Sequence, residues 1–224
     1  MKLSDIANRL IRPLHAFSSN KYWESRYRSG GNSGAGSYRH LAEFKAEVLN
    51  NFVAQNEVSN IVEFGCGDGN QLSLANYPTY LGVDVSDTAV EMCRRTFSED
   101  STKHFIPLTE YHGAQADLAL SLDVLFHLVE DDVFDAYMRR LFAAARRFVI
   151  VYSSNTDNPH TSVGASHVRH RHFTRWVERN EPEWRLVRTI PNRYPYNGNP
   201  EQTSFADFFF FAPRKNVRSQ PPIA

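Results

Sequence analysis

Val62-Glu63-Phe64-Gly65-Cys66-Gly67-Asp68-Gly69-Asn70 is the stretch from which the rest of the chain is read. Apolar residues flanking Glu63 lead into three glycines at alternate positions, after which Gln71, Leu72 and Leu74 resume in a helical spacing. The pattern predicts a strand, a tight glycine turn and a helix. Glycine at 65, 67 and 69 removes the Cβ atoms from one side of the turn, so that a ligand can lie on the backbone with helix amides aimed at it. In a dinucleotide-binding turn the third glycine follows the second by three residues. Here it follows by two, which argues against a nicotinamide enzyme. Glu63 at the strand end repels a pyrophosphate and suits a cationic, amino-bearing ligand.

Thr79-Tyr80-Leu81-Gly82-Val83-Asp84 reads as the next strand. It ends in an acid about twenty residues after Glu63, the offset at which folds of this kind hold ribose hydroxyls. The plainer alternative makes Asp84 the cap of a helix starting near Asp87, although Ser86 or Asp87 suits that position as well.

The stretch resembles the first motif of the class I S-adenosylmethionine-dependent methyltransferases, E/D-x-G-x-G-x-G, residue for residue at Glu63, Gly65, Gly67 and Gly69. The resemblance implies S-adenosyl-L-methionine as cofactor and a Rossmann-like α/β fold, with a seven-stranded sheet of order 3-2-1-4-5-7-6 and an antiparallel last strand. It implies that Glu63, Gly65, Cys66, Gly67 and Gly69 surround the donor, with Asp84 on both ribose hydroxyls and Val85 near the adenine.

The chain has 224 residues, enough for one α/β domain with small additions. Basic and acidic residues number 25 each, so the chain lacks the basic excess expected of a nucleic-acid-binding protein. Cys66 and Cys93 form neither a disulfide framework nor a metal set, which points to a reducing, cytoplasmic compartment. No sustained apolar run follows Lys2, and none approaches the length of a membrane span.

Residues 1–37 read as an N-terminal addition, 38–212 as the methyltransferase domain and 213–224 as a disordered tail. Leu3, Ile6, Leu10 and Ile11 form a weak helical stripe stopped by Pro13. Lys21 to Arg28 carries Tyr22, Trp23 and Tyr27, and four of the eleven glycines follow between 30 and 36. That loop is either a flexible linker or the hinge of a lid that brings Tyr22 and Trp23 over the cofactor. The resemblance supports the lid. Leu41, Phe44, Val48, Leu49 and Phe52 predict an amphipathic helix over 37–55, and further helices are predicted over 87–97, 131–146 and 173–179. Strands are predicted over 60–64, 79–84, 103–106, 117–122 and 148–152, alternating with helices as in a parallel, doubly wound sheet. Seven of the eleven prolines lie after residue 181, and a turn-rich stretch there joins strands near 184–189 and 205–211 into a closing hairpin.

Methyl transfer from a sulfonium needs no acid, because the leaving group departs as a neutral thioether. Catalysis reduces to alignment and, for a hydroxyl acceptor, to removing its proton. His127, just past the fourth strand, is the first candidate base, since a neutral imidazole titrates near working pH; the alternative is a loop-ordering role. Asp123 is the second, as base, acceptor-orienting carboxylate or helix cap. No Asn-Pro-Pro-Tyr or Asp-Pro-Pro-Tyr motif occurs here, which counts against the amino-methylating nucleic-acid and glutamine enzymes. His160 and His167-Val168-Arg169-His170-Arg171-His172 follow the fifth strand. In this cluster Arg169, Arg171, His167 and His170 are candidates to grip an acceptor's carboxylate, phosphate or sugar hydroxyls. A solvated basic loop is the plain alternative, and a metal set is disfavoured because the spacing matches no common ligand pattern. Tyr194, Tyr196 and Phe205 offer rings for sugar faces. With the resemblance of the Tyr22 to Gly36 and His-Val-Arg-His-Arg segments to bacterial methyltransferases of surface-glycan biosynthesis, the expectation is methylation of a hydroxyl on a small molecule or glycan. An N-methyltransferase and a non-catalytic cofactor-binding subunit are the alternatives.

Overall fold

The computed structural model describes residues 17–158 and 165–214; the Leu3 to Ile11 stripe, His160 and the tail beyond 214 lie outside them. Among the described residues, five α-helices run as α1 (Ser19–Arg28), α2 (Arg39–Gln55), α3 (Asp87–Thr96), α4 (Asp131–Ala143) and α5 (Phe173–Asn180). The strands are β1 (Asn60–Phe64), β2 (Thr79–Asp84), β3 (Lys103–Pro107), β4 (Ala116–Leu122), β5 (Ala145–Ser153), β6 (Trp184–Ile190) and β7 (Asp207–Pro213). They form one sheet in the order β3-β2-β1-β4-β5-β7-β6, as expected. Strands β1 to β5 pair in parallel, and β7 is antiparallel to both β5 and β6.

Strand β7 illustrates how the sequence builds the two layers. Side chains alternate across a strand, so Phe208 and Phe210 enter the core under α2 beside Phe44, Phe52 and Phe148. Phe209 and Phe211 enter the opposite core with Met138, Leu141 and Phe142 of α4. The nearly continuous apolar runs of β4 and β5 follow from the same burial on both faces. No helix among the described residues is long and apolar enough to cross a membrane.

Two elements differ from expectation. The glycine turn is followed not by an α-helix but by a single 3-10 turn, Leu72–Leu74. Side-chain ties redirect the chain there: Asn70 Nδ2 donates to the Ser37 carbonyl (2.6 Å), Gln71 Nε2 to the Ala42 carbonyl (3.1 Å), and Pro78 follows before another turn can form. The chain leaving the glycine turn therefore does not open an α-helix. Conversely, the aromatic Lys21 to Arg28 segment lies within a helix, α1. Ser18 caps it by accepting from the Lys21 amide, and Arg26 and Arg28 sit at the negative end of its dipole.

The register brings Glu63 beside Gly82 and Leu120, so β1, β2 and β4 end together. Ligands bind outside such carboxyl ends in open α/β sheets, and α1 lies across them.

Candidate functional site

A cavity opens between the glycine turn, the carboxyl ends of β1, β2 and β4, and α1. Of the residues singled out from the sequence, Glu63, Gly65, Cys66, Gly67, Asp84, Val85, Trp23, Asp123 and His127 line it; Gly69, Tyr22, His167, His170, Arg169 and Arg171 do not.

Glu63 is buried at the end of β1 and accepts a hydrogen bond from the Tyr80 hydroxyl at 2.7 Å. Burial pushes its carboxyl up to about 7, against the opposing pull of that hydrogen bond and of the Lys45 charge. Asp84, also buried, accepts from the Gly67 amide at 2.9 Å through Oδ2 and from the Ser86 amide at 2.9 Å through Oδ1. Its carboxyl is likewise raised by burial. Ser86, not Asp84, caps α3 by accepting from the Ala89 amide. Each Asp84 oxygen keeps a lone pair for a further donor.

The three glycines do different work. At Gly65 a Cβ would meet Val124 Cγ2 at 2.4 Å, and at Gly67 it would meet Ser33 Oγ at 2.3 Å and the Tyr27 hydroxyl at 3.0 Å. Both sites have positive φ, so a side chain there is strained as well as blocked. Gly69 faces the other way, towards Phe97 and Cys93 of the α3 end, where its missing Cβ lets α3 approach. It is a packing glycine.

The N-terminal segment is stitched to the turn by residues that the sequence reading passed over. Asp68, the residue between the last two glycines, accepts from the Ser33 amide (2.8 Å) and the Tyr38 hydroxyl (2.7 Å), and its own amide donates to Ser33 Oγ (3.0 Å). Glu24 of α1 accepts from Ser86 Oγ, Thr88 Oγ1 and the Thr88 amide at the start of α3. These bonds hold its carboxyl below the usual range, the Ser86 contact most of all. The Ser19 amide donates to Glu130, and its hydroxyl lies within reach of the His127 carbonyl and of Glu130.

Asp123 follows β4 in a left-handed conformation, φ 58°. Its Oδ2 accepts from Lys45 Nζ at 2.6 Å; the lysine side chain is 1% exposed and the aspartate 17%. Lys45 is the one Lys or Arg among the residues lining the cavity. A signal for it existed: it lies on the apolar stripe of α2, between Leu41 and Leu49, where a charge is out of place.

The Nδ1 atom of His127 lies 3.0 Å from the His167 carbonyl oxygen. A carbonyl only accepts, so Nδ1 carries the proton and Nε2 keeps the lone pair. Burial pushes the ring down to about 4, and so it is neutral near pH 7. Trp23 meets it edge-on with centroids 4.8 Å apart, and Tyr22 stacks on His167, which stacks on His127.

The basic cluster stays together but lies outside this cavity, where Arg169, His170, Arg171 and His172 line a second, more open recess. Arg171 donates to the Leu128 and Val129 carbonyls and to Asp131, and Arg169 to Val129 and Asp131, so both brace the 128–131 loop from outside the cavity. His170 is buried, its Nδ1 2.7 Å from Ser154 Oγ, and His172 Nδ1 lies near Thr174 Oγ1.

The cavity therefore offers three buried carboxyl groups, Glu63, Asp68 and Asp84, with one buried ammonium and backbone left bare by glycine. One further acceptor is open: Gln71 Oε1, a buried atom of a cavity-lining residue, has no partner among the described residues. This donor set fits a ligand that carries a cation, a carboxylate and hydroxyls, as S-adenosylmethionine does.

Residues 37–193 match the family model described as a methyltransferase domain. Among curated proteins, nothing matches. Solved structures share the fold at low identity. One is the N-methyltransferase NodS from Bradyrhizobium japonicum WM9 in complex with S-adenosyl-L-homocysteine, at 14% identity over 88% of this chain and 100% of that one, with a TM-score of 0.64. Another is the magnesium protoporphyrin IX methyltransferase (ChlM) from Synechocystis PCC 6803 with bound SAH, at 14% identity over 87% and 97% of the two chains and a TM-score of 0.63. The methyltransferase domain of the bacterial protein CtHen1-CN matches at 18% identity over 75% and 97%, with a TM-score of 0.56.

Proposed function

This chain belongs to the methyltransferase domain family, with S-adenosylmethionine as methyl donor, and from that premise we propose that it methylates a hydroxyl of a small molecule or glycan, with His127 accepting the proton. One observation supports this most: a neutral, Nδ1-protonated imidazole lines the same cavity as Glu63, Asp84 and the glycine turn. When bound, S-adenosylmethionine supplies an electrophilic methyl group on a sulfonium. Glu63, Asp84, Val85 and the backbone at Gly65, Cys66 and Gly67 hold the donor, and Trp23 covers it. Asp123 orients the acceptor. A ring with a pKa near 4 is a weak base, and it suits a proton that leaves late, once the oxygen has begun to bond to carbon and has become strongly acidic. Arg169 and Arg171 act on this site through the 128–131 loop they brace.

The same weak basicity favours a second reading, an amine acceptor that brings its own lone pair and needs little help from a base. Both are tested by screening hydroxyl and amine acceptors for release of S-adenosylhomocysteine, then repeating the screen with His127→Gln. A hydroxyl acceptor should lose about 10²- to 10⁴-fold in kcat with KM little changed. An amine acceptor should lose less than about tenfold. A protein that binds the donor but yields no product with any acceptor would be a non-catalytic subunit.

A further inference from the structure

The fold keeps Tyr22 and His167 off the cavity wall yet ties both to a residue that lines it, His127. Ser19, Tyr22 and Trp23 stand at i, i+3 and i+4 of α1 and so share one face. That face meets His127 in three ways. The Ser19 hydroxyl lies 2.8 Å from the His127 carbonyl oxygen, the Trp23 ring meets the imidazole edge-on at 4.8 Å, and the Tyr22 ring stacks on His167 at 4.8 Å with 12° between the planes. His167 then acts on His127 twice. Its ring lies nearly parallel to the imidazole, 13° apart with centroids at 5.5 Å, and its main-chain carbonyl oxygen is 3.0 Å from Nδ1. Tyr22, His167 and His127 thus form one stack that runs from α1 to the cavity.

A neutral imidazole carries its proton on either nitrogen, and the hydrogen bond made by one nitrogen decides which of the two keeps the lone pair. Here the deciding partner is a main-chain oxygen. The peptide unit that supplies it closes a turn, with the Val168 amide on the Ala165 carbonyl (3.0 Å), and the Arg169 amide ties the far end of that turn to the Phe126 carbonyl (2.7 Å). A turn held at one end can swing, and a flat ring stacked on its His167 side chain restrains it. We propose that Tyr22 and His167 are positioning residues for His127: by laying Tyr22 on His167, α1 holds the His167 carbonyl against Nδ1 and leaves Nε2 to take the acceptor's proton. The inference rests on the reading of His127 as the base, and it adds that the base is complete only while α1 is docked. Proton removal is then confined to the docked arrangement, in which Trp23 lines the same cavity.

The test uses the full chain with ¹⁵N-labelled histidine, read by NMR with no acceptor present. At about pH 7.5 the wild type should show one neutral tautomer at His127, protonated on Nδ1, its signals identified by their loss in His127→Gln. Tyr22→Leu and His167→Ala should each turn it into a mixture of both tautomers. Tyr22→Phe and His167→Phe keep a flat ring and the main-chain oxygen, and they should preserve the single form. With a hydroxyl acceptor, Tyr22→Leu should lower kcat about 3- to 30-fold while acceptor KM and donor affinity stay within about threefold, and Tyr22→Phe should keep wild-type kcat. A single Nδ1-protonated tautomer in both Tyr22→Leu and His167→Ala overturns the proposal, as do equal losses in the Phe variants or a rise in KM with kcat unchanged. Should Tyr22→Leu fail to fold, His167→Ala, at a half-buried position, decides alone. If the tautomers respond as expected but no hydroxyl acceptor is turned over, the reading of His127 as base fails and the positioning by Tyr22 and His167 stands.

Discussion

Glu63 and His127 face one cavity with opposite proton preferences, and burial sets both. Glu63 has a folded pKa near 7 against an ordinary 4.5, so between pH 4.5 and 7 the ligand-free fold keeps a proton that the unfolded chain has released. Stability therefore falls as pH rises through that window, by about 3 kcal/mol for this group. For His127 the folded value is near 4 against 6.5, and stability is instead lost as pH falls from 6.5 towards 4. The two slopes oppose each other in the wild type. Glu63→Gln removes one of them, so its stability relative to wild type, measured by urea unfolding, should grow steadily from pH 4.5 to 7. A constant offset would mean that the glutamate is not titrating in the fold. On the function proposed above, the same group controls donor binding, because a cationic ligand needs the carboxylate ionised. Between pH 5.5 and 7, below the range where an α-amino group titrates, the dissociation constant for S-adenosylmethionine should tighten roughly tenfold in wild type and stay flat in Glu63→Gln.

At the scale of elements, α1 and the loop after it are fixed to the site by a few polar bonds and a ring stack. Glu24 joins α1 to α3, Asp68 joins Ser33 and Tyr38 to the glycine turn, and Trp23 leans on His127. We propose that this segment opens to admit ligands, with the glycines between 30 and 36 as hinge; Gly30 and Gly34 both have positive φ and no neighbour in the way of a Cβ. The double variant Glu24→Gln, Asp68→Asn keeps shape and weakens the acceptors. It should raise the dissociation constant for the donor about 5- to 50-fold and speed donor release in stopped-flow Trp fluorescence, with little change in melting temperature. If the dissociation constant and the release rate both stay at wild-type values, the segment is a fixed wall and not a lid. That α1 would be a helix was hard to read from Lys21 to Arg28, which has no apolar stripe of core width. Its helicity comes from a serine cap and from docking on α3. The absent helix after Gly69 is the converse case, in which Gln71, Leu72 and Leu74 have helical spacing but Asn70 and Gln71 are drawn off by carbonyls of the 37–42 segment.

For the whole molecule, the sheet is held by two aromatic layers that β7 threads together. Phe210 is 1% exposed and packs against Phe52 at a centroid distance of 5.2 Å. Phe210→Ala should cost about 3–5 kcal/mol in urea unfolding, whereas Leu186→Ala on the exposed face of β6 should cost less than about 1. Similar losses at both positions would show that β7 is not central to the core. What the sequence determined alone was whatever depends on neighbours along the chain. The alternation in β7, the two-sided apolar runs of β4 and β5, the glycine turn and the acids at 63 and 84 are written in local spacing, and they specify the fold and the edge of the sheet on which the cavity opens. Only the tertiary structure decided what depends on residues far apart in sequence. It paired Lys45 with Asp123 across 78 positions, turned the basic cluster away from the cavity, gave Asp68 to the N-terminal segment, and set the protonation of Glu63 and His127. Spacing reports which face of an element is buried, but a charge's partner and its degree of desolvation arise only when several elements close around it.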